Sequence, residues 1–182
     1  MTKNALRIIP MLMLALGASA TAQVPKHMKF SGTLSDYTAA DGTSGPWEVR
    51  GTWTMTVRGN SGKADFSAAV NMVRSDLGVM QNGGGDLNNP TNRNAHTHHI
   101  TVLDATVTAL STGGFQVTGA VTITSNGAFP APFGGDSNVV ITITGGNSVT
   151  YSNMAMTLQG DAVKHFGTTD LHGVIRSATG SE

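Results

Sequence analysis

Apolar and polar residues alternate along the segment from Trp47 to Arg58. Successive side chains of a β-strand point to opposite faces, so this alternation predicts a strand with one buried and one solvent-facing side. The pattern repeats from Phe66 to Met72, after residues 59–62, whose sequence Gly-Asn-Ser-Gly is typical of a tight turn. These two segments are therefore predicted to form a hairpin whose inner face carries both tryptophans of the chain.

The same period of two recurs in the second half of the chain. It is clear from Phe115 to Ile123 and from Val139 to Ile143, and the latter segment is followed by Gly-Gly-Asn at 145–147, a further hairpin signal. The apolar parity changes near Asp104 and near Asn153, which indicates two β-bulges. Residues 30–37 and 171–176 complete about eight strands, and no window has the spacing of an amphipathic helix. The pattern predicts an all-β fold.

About eight short antiparallel strands, joined mostly by short turns, favour an up-and-down, lipocalin-like β-barrel. A two-sheet β-sandwich is the alternative. Closing the sheet into a barrel leaves no exposed edge strands. An eight-stranded barrel is just wide enough for side chains to fill it or for one small ligand to enter it. We expect one all-β domain over residues 23–182, interrupted by a long loop rich in glycine and asparagine at 81–95.

The first 22 residues have the pattern of a signal peptide. Lys3 and Arg7 precede a short apolar run, and the small residues of Ala20-Thr21-Ala22 follow it. The run is shorter than the ~20 residues that a membrane-spanning helix needs. No later stretch is long and apolar enough to span a bilayer, so we expect a secreted or periplasmic protein of bacterial type without a transmembrane segment.

Composition excludes several classes of function. The 182 residues contain 11 Lys and Arg against 11 Asp and Glu, giving a formal net charge of zero, and they contain no cysteine. A neutral chain without a basic run has no field that attracts nucleic acid, so we expect no nucleic-acid partner. The lack of cysteine rules out disulfides, thiol catalysis and Cys-ligated metal clusters. Hydroxyl, carboxylate, imidazole and backbone groups remain.

The one concentrated group of chemically active side chains is the sequence His96-Thr97-His98-His99. On a strand, His96 and His98 share the face of the neighbouring apolar residues, whereas His99 lies on the opposite face. Two imidazoles at positions i and i+2 can bind one divalent ion, and zinc, copper and iron all accept nitrogen ligands. A third ligand is needed, and the candidates are Asp86, Asp104, His165 and His172.

Two resemblances bear on this interpretation. The spacing of His96 and His98 resembles the metal-binding strand of cupins, although Asp104 stands beyond the position of the cupin glutamate and Pro90 replaces the upstream glycine. The sequences Phe-Ser-Ala at 66–68 with Arg-Ser-Asp-Leu-Gly-Val at 74–79, and the segment 114–123, resemble the YceI family of exported lipocalin-like barrels that hold isoprenoid lipids. That resemblance implies the barrel class and assigns no functional residue.

Three functions are compatible with these features. The first is a non-enzymatic barrel that binds a small, partly apolar or amphipathic molecule in its interior. The second is a metal-binding protein or metal-dependent enzyme built on His96 and His98, and the third is a structural or adhesive surface domain. No catalytic residue is identified, and the sequence favours a protein without enzymatic activity. In the first function, large inward side chains line the ligand site: Trp47, Trp53, Met55, Phe66, Met72 and Phe115.

Overall fold

The computed structural model describes residues 24–38, 46–74, 95–125, 137–144 and 153–181. The predicted signal peptide and nearly all of the predicted loop at 81–95 lie outside these residues. The described residues form nine strands and one short α-helix. The elements in chain order are β1 (His27–Tyr37), β2 (Trp47–Arg58), β3 (Lys63–Arg74), β4 (Ala95–Ala109), β5 (Phe115–Ala120), β6 (Thr122–Ser125), β7 (Ser137–Ile143), β8 (Met154–Gly160), α1 (Val163–Phe166) and β9 (Leu171–Ser181).

Eight of the strands form a closed antiparallel barrel. Each of β1 to β4 pairs with the next strand, β5 pairs with β7, β7 with β8, β8 with β9, and β9 pairs back with β1. The additional strand β6 follows β5 after Val121 and pairs with the first half of β4. The structure confirms the predicted up-and-down barrel.

The barrel interior is formed by the apolar parity of each strand. On β2, Val49, Trp53 and Met55 are buried, whereas Thr52 and Thr54 are exposed. Burying only one parity removes the apolar side chains from water and leaves the hydroxyls hydrated, which is the main stabilising contribution to such a sheet. The hairpin predicted at 59–62 is also present, because β2 and β3 are joined by a 3₁₀ turn that ends at Gly62 with φ +62°.

The parity change near Asp104 is a bulge in β4, as predicted. Asp104 has φ +52°, and the pairing of β3 with β4 shifts register between Ala64 and Phe66. Arg58 binds the carboxylates of both Asp65 and Asp104, and Asp65 accepts a hydrogen bond from the backbone N–H of Asp104 at 2.9 Å. The bulge divides β4 into a half that pairs with β6 and a half that pairs with β5. The bulge predicted near Asn153 is not tested, because residues 145–152 lie outside the described ranges.

The sequence did not indicate the helix α1, which lies between β8 and β9. It has four residues, fewer than are needed for a recognisable 3.6-residue period. Gly160 and Gly167, with φ of +71° and +78°, stand on either side of it. No helix in the described part of the chain has the length and apolar character needed to cross a membrane.

Candidate metal centre

The first half of β4 carries two histidines into the barrel. His96 and His98 share the inward parity of Ile100 and are 7% and 1% exposed, whereas His99 points outward and is exposed. The structure therefore agrees with the prediction that His96 and His98 face the interior of the barrel and that His99 lies on the opposite face of the same strand. His96 and His98 pair with Met72 and Val70 of β3, so both imidazoles lie over the apolar interior near one end of the barrel.

A third imidazole comes from α1. His165 places its Nε2 atom 3.0 Å from Nε2 of His96 and 3.1 Å from Nε2 of His98. The helix brings this side chain to the end of the barrel at which β4 begins. Of the four candidates for a third ligand, the structure brings only His165 to the other two histidines within the described residues. We call His96, His98 and His165 the histidine cluster.

The geometry of the histidine cluster suits a metal ion. Each residue offers one ligand nitrogen, and the three atoms lie within 4.8 Å of one another. Bonds of ~2.0–2.1 Å in a tetrahedral site place two ligand nitrogens about 3.3 Å apart, close to the distances observed here. In a neutral imidazole each nitrogen carries either one N–H or one lone pair. Nε2 of His165 therefore cannot form well-aligned hydrogen bonds with Nε2 of His96 and Nε2 of His98 at the same time. A central cation would use all three lone pairs.

Aromatic rings form the walls of the histidine cluster. The Trp47 ring meets the His96 ring edge-on at 4.6 Å between centroids, and the Phe166 ring contacts His98 at 5.3 Å and His165 at 5.1 Å. Trp47 is held at the start of β2 by Thr38, whose hydroxyl accepts a hydrogen bond from the Trp47 backbone N–H at 2.9 Å. These contacts limit the freedom of the imidazoles and keep much of the water away from them.

Burial keeps the three imidazoles neutral. The pKa of His98 is lowered to about 3, mainly by burial and in addition by charge repulsion from the neighbouring His165 and His96, while a backbone hydrogen bond with Thr124 of β6 acts in the opposite direction. Burial and the nearby His96 lower the pKa of His165 to about 4, and burial also lowers the pKa of His96. Neutral imidazole is the form that binds metal ions, so the cluster is ready to bind a cation at neutral pH.

The other candidate ligands have different surroundings. Asp104 is exposed and binds Arg58 at 2.7 Å at the β4 bulge. His172 is bound through its Nδ1 to the Asp36 carboxylate at 2.7 Å, on the outer surface where β1 and β9 meet. Asp86 lies outside the described residues. Neither Asp104 nor His172 belongs to the histidine cluster. The identity of a third metal ligand stays a prediction, for which the geometry favours His165.

The residues predicted to line an apolar ligand site are all inside the barrel. The Trp53 and Phe66 rings stack at 6.1 Å between centroids, and Phe115 contacts Phe30 at 5.6 Å. The Trp53 ring occupies the space beside Gly32, where an added Cβ would come within 2.6 Å of it. Trp47 lies instead against the histidine cluster. Binding of an apolar ligand stays a prediction for the set Trp47, Trp53, Met55, Phe66, Met72 and Phe115, each at most 5% exposed.

Comparison of the chain with protein-family models, with curated proteins and with solved structures finds no match. The resemblances to cupins and to the YceI family therefore gain no support from these comparisons. The arguments about function rest on the described side chains themselves.

Proposed function

We propose that this protein binds one divalent transition-metal ion through His96, His98 and His165. The observation that carries the proposal is the approach of the His165 Nε2 atom to within 3.0 and 3.1 Å of the other two Nε2 atoms. Three imidazole nitrogens form a ligand set that zinc, copper and iron accept, and copper(II) is bound most tightly by most nitrogen sites. The aromatic walls and the lowered imidazole pKa values support the same function.

Metal titration by calorimetry tests this proposal on protein purified without a histidine tag. We expect one ion per chain, and we expect His96→Ala, His98→Ala and His165→Ala each to weaken zinc binding by at least ~100-fold. Loss of an outer hydrogen-bonding partner of a ligand already weakens binding ~10–100-fold, and loss of a ligand itself removes more. His99→Ala is the matched control, because it removes an exposed imidazole from the same strand.

Three results would contradict the proposal. Wild-type protein could fail to bind zinc, copper or nickel more tightly than about 1 mM, near −4 kcal/mol. His165→Ala could bind as tightly as wild type, which would remove α1 from the site. His99→Ala could weaken binding as much as the other variants, which would indicate a flexible chelating segment.

Native mass spectrometry of the untagged protein separates this function from the other two predicted from the sequence. A stoichiometric metal mass supports the proposal. A retained lipid or other apolar molecule supports ligand binding inside the barrel, and a chain without either supports a structural or adhesive domain.

A further inference from the structure

Met72 stands opposite the histidine cluster inside the barrel. The pairing of β3 with β4 places Met72 directly across from His96, and both side chains are buried in the interior. Residues that face each other on antiparallel strands have Cβ atoms about 4.5–5.5 Å apart. The side chain of Met72 therefore starts beside the imidazole of His96.

A second pairing places Met72 at the same level of the barrel as the cluster. Its partner on β2 is Val49, two positions from Trp47, and the Trp47 ring meets the His96 ring at 4.6 Å between centroids. Among the described methionines, Met72 is the one whose strand partner belongs to the histidine cluster. Strand partners outside the cluster are found for the others: Met28, Met55, Met154 and Met156.

A methionine thioether adds a specific chemistry to three imidazoles. Its side chain has three rotatable bonds and a polarisable sulfur, so it adapts to the space beside a neighbouring group. A side chain of this length and freedom, starting next to His96, can reach an ion held between the three Nε2 atoms. Imidazole accepts zinc, copper, iron and nickel, whereas the soft thioether selects copper(I). The combination therefore favours copper.

From this register and this chemistry, we propose that the sulfur of Met72 is a further ligand of the metal held by the histidine cluster. Three imidazoles and one thioether make a site that binds copper(I) as well as copper(II), and the thioether contributes to binding of copper(I) but not of zinc. This inference rests on the proposed metal-binding function and names the metal that the cluster selects.

X-ray absorption at the copper edge tests the sulfur ligand directly. The chain contains no cysteine and nine methionines, so any protein sulfur bonded to copper is a methionine sulfur. The full chain, purified without a histidine tag, is loaded with one equivalent of copper(I) in anaerobic, thiol-free buffer. We expect one sulfur neighbour beside nitrogen neighbours in the wild type. Met72→Leu should show nitrogen neighbours alone, since leucine has a similar volume but no sulfur.

Metal affinities give a second readout. Competition with a chromogenic copper(I) chelator should show that Met72→Leu weakens copper(I) binding by at least ~10-fold, because loss of an outer partner of a ligand already has an effect of this size. Zinc binding measured by calorimetry should stay close to that of wild type, because zinc sites use thiolate, imidazole and carboxylate ligands. Retained zinc binding also shows that the variant is folded with its histidine cluster intact.

Met55→Leu is the matched control. It makes the same substitution at a buried methionine whose strand partners are Phe30 and Phe66, outside the histidine cluster. Its affinities for copper(I) and zinc should equal those of wild type. If Met55→Leu weakens copper(I) binding as much as Met72→Leu does, the effect comes from repacking of the core and the inference is wrong.

The remaining outcomes separate the two proposals. If copper(I) binds through the histidine cluster without a sulfur neighbour in the wild type, metal binding stands and the thioether ligand is overturned. A sulfur neighbour that persists in Met72→Leu would assign the ligand to another methionine, which also overturns the inference. Equal weakening of zinc and copper(I) in Met72→Leu would reduce Met72 to a packing role. If the wild type binds neither copper nor zinc, both proposals fail together.

Discussion

The Nε2 atoms of His96 and His165 lie 3.0 Å apart, although 69 positions of the sequence separate the two residues. His96 begins the long strand β4, whereas His165 belongs to the short helix between β8 and β9. An ion that binds both would cross-link two distant parts of the chain in the folded state only. Binding of such an ion would therefore be coupled to folding.

The first prediction concerns this coupling. Zinc should raise the melting temperature of the protein, because a ligand that binds only the folded state stabilises it by about 2.7 kcal/mol at a hundred times its dissociation constant. For a chain of this length that corresponds to about 5–10 °C. Differential scanning fluorimetry with and without zinc measures the shift. Addition of a chelator should reverse it.

His165→Ala and His99→Ala are the paired variants for this measurement. The first should melt at the same temperature with and without zinc, and the second should respond as wild type does. An equal zinc effect in all three proteins would mean that the ion binds outside the histidine cluster.

The second prediction concerns pH in the metal-free protein. Burial lowers the pKa of His98 to about 3 and that of His165 to about 4, from an ordinary value of 6.5. Between about pH 4 and pH 6.5 the unfolded chain binds more protons than the folded chain, so the free energy of unfolding rises with pH. We expect the free energy of unfolding to be highest above pH 6.5 and to decrease as the pH falls from 6.5 towards 4.

Urea unfolding in the presence of a chelator, at several pH values in this window, measures the effect. His98→Asn should flatten the dependence, and His99→Ala should leave it unchanged. The carboxylate of Asp65 affects only the acid end of this window. Its hydrogen bond with Arg58 lowers its pKa below the ordinary 3.8, so its contribution to stability is constant above about pH 5 and falls below it. A wild-type stability that is constant from pH 6.5 to 4 would show that the three imidazoles take up protons in the folded state.

The sequence predicted those parts of the structure that follow from local patterns. The period of two identified the inner faces of β2, β3 and β5, and the same period placed His96 and His98 on one face with His99 opposite. The change of parity near Asp104 marked a real bulge. Each of these features depends on residues that are neighbours in the chain.

The position of His165 beside the other two histidines, and the helix that carries it, were less accessible to this reasoning. The sequence left four candidates for the third ligand, and His165 was one of them. It could not choose among them, because the closure of the whole barrel determines which residues lie close to β4. A four-residue helix gives no periodic signal, and the positive φ angles of the flanking Gly160 and Gly167 are known only from the structure. Trp47 was assigned to an apolar ligand site from its parity alone. Parity shows that it points inward but not that it meets an imidazole.

The third prediction concerns the backbone at the β4 bulge. Asp104 adopts φ +52°, a left-handed conformation that asparagine tolerates and β-branched residues do not. Asp104→Val should therefore destabilise the protein by roughly 1–2 kcal/mol more than Asp104→Asn. Both variants remove the carboxylate that binds Arg58, and the side chain at 104 is exposed, so the difference between them reports the backbone. Equal midpoints of urea unfolding for the two variants would contradict this explanation of the bulge.

The fourth prediction compares the two faces of β2. Trp53 is 1% exposed, stacks on Phe66 and fills the space beside Gly32, whereas Thr54 points to solvent between Ser31 and Ser67 on the neighbouring strands. Trp53→Ala should destabilise the fold by about 3–5 kcal/mol, since it removes a buried ring and leaves a cavity. Thr54→Ala should change the free energy of unfolding by no more than about 0.5 kcal/mol.

Urea unfolding monitored by circular dichroism measures both variants on the same scale, and Trp53→Phe should fall between them, because it retains a smaller ring. The comparison also bears on ligand binding in the barrel. If Trp53 faces a bound apolar molecule more than it packs against the protein, Trp53→Ala will lose less stability than predicted in protein freed of ligand. A loss of 3–5 kcal/mol in ligand-free protein instead indicates that neighbouring side chains already fill the space around this ring.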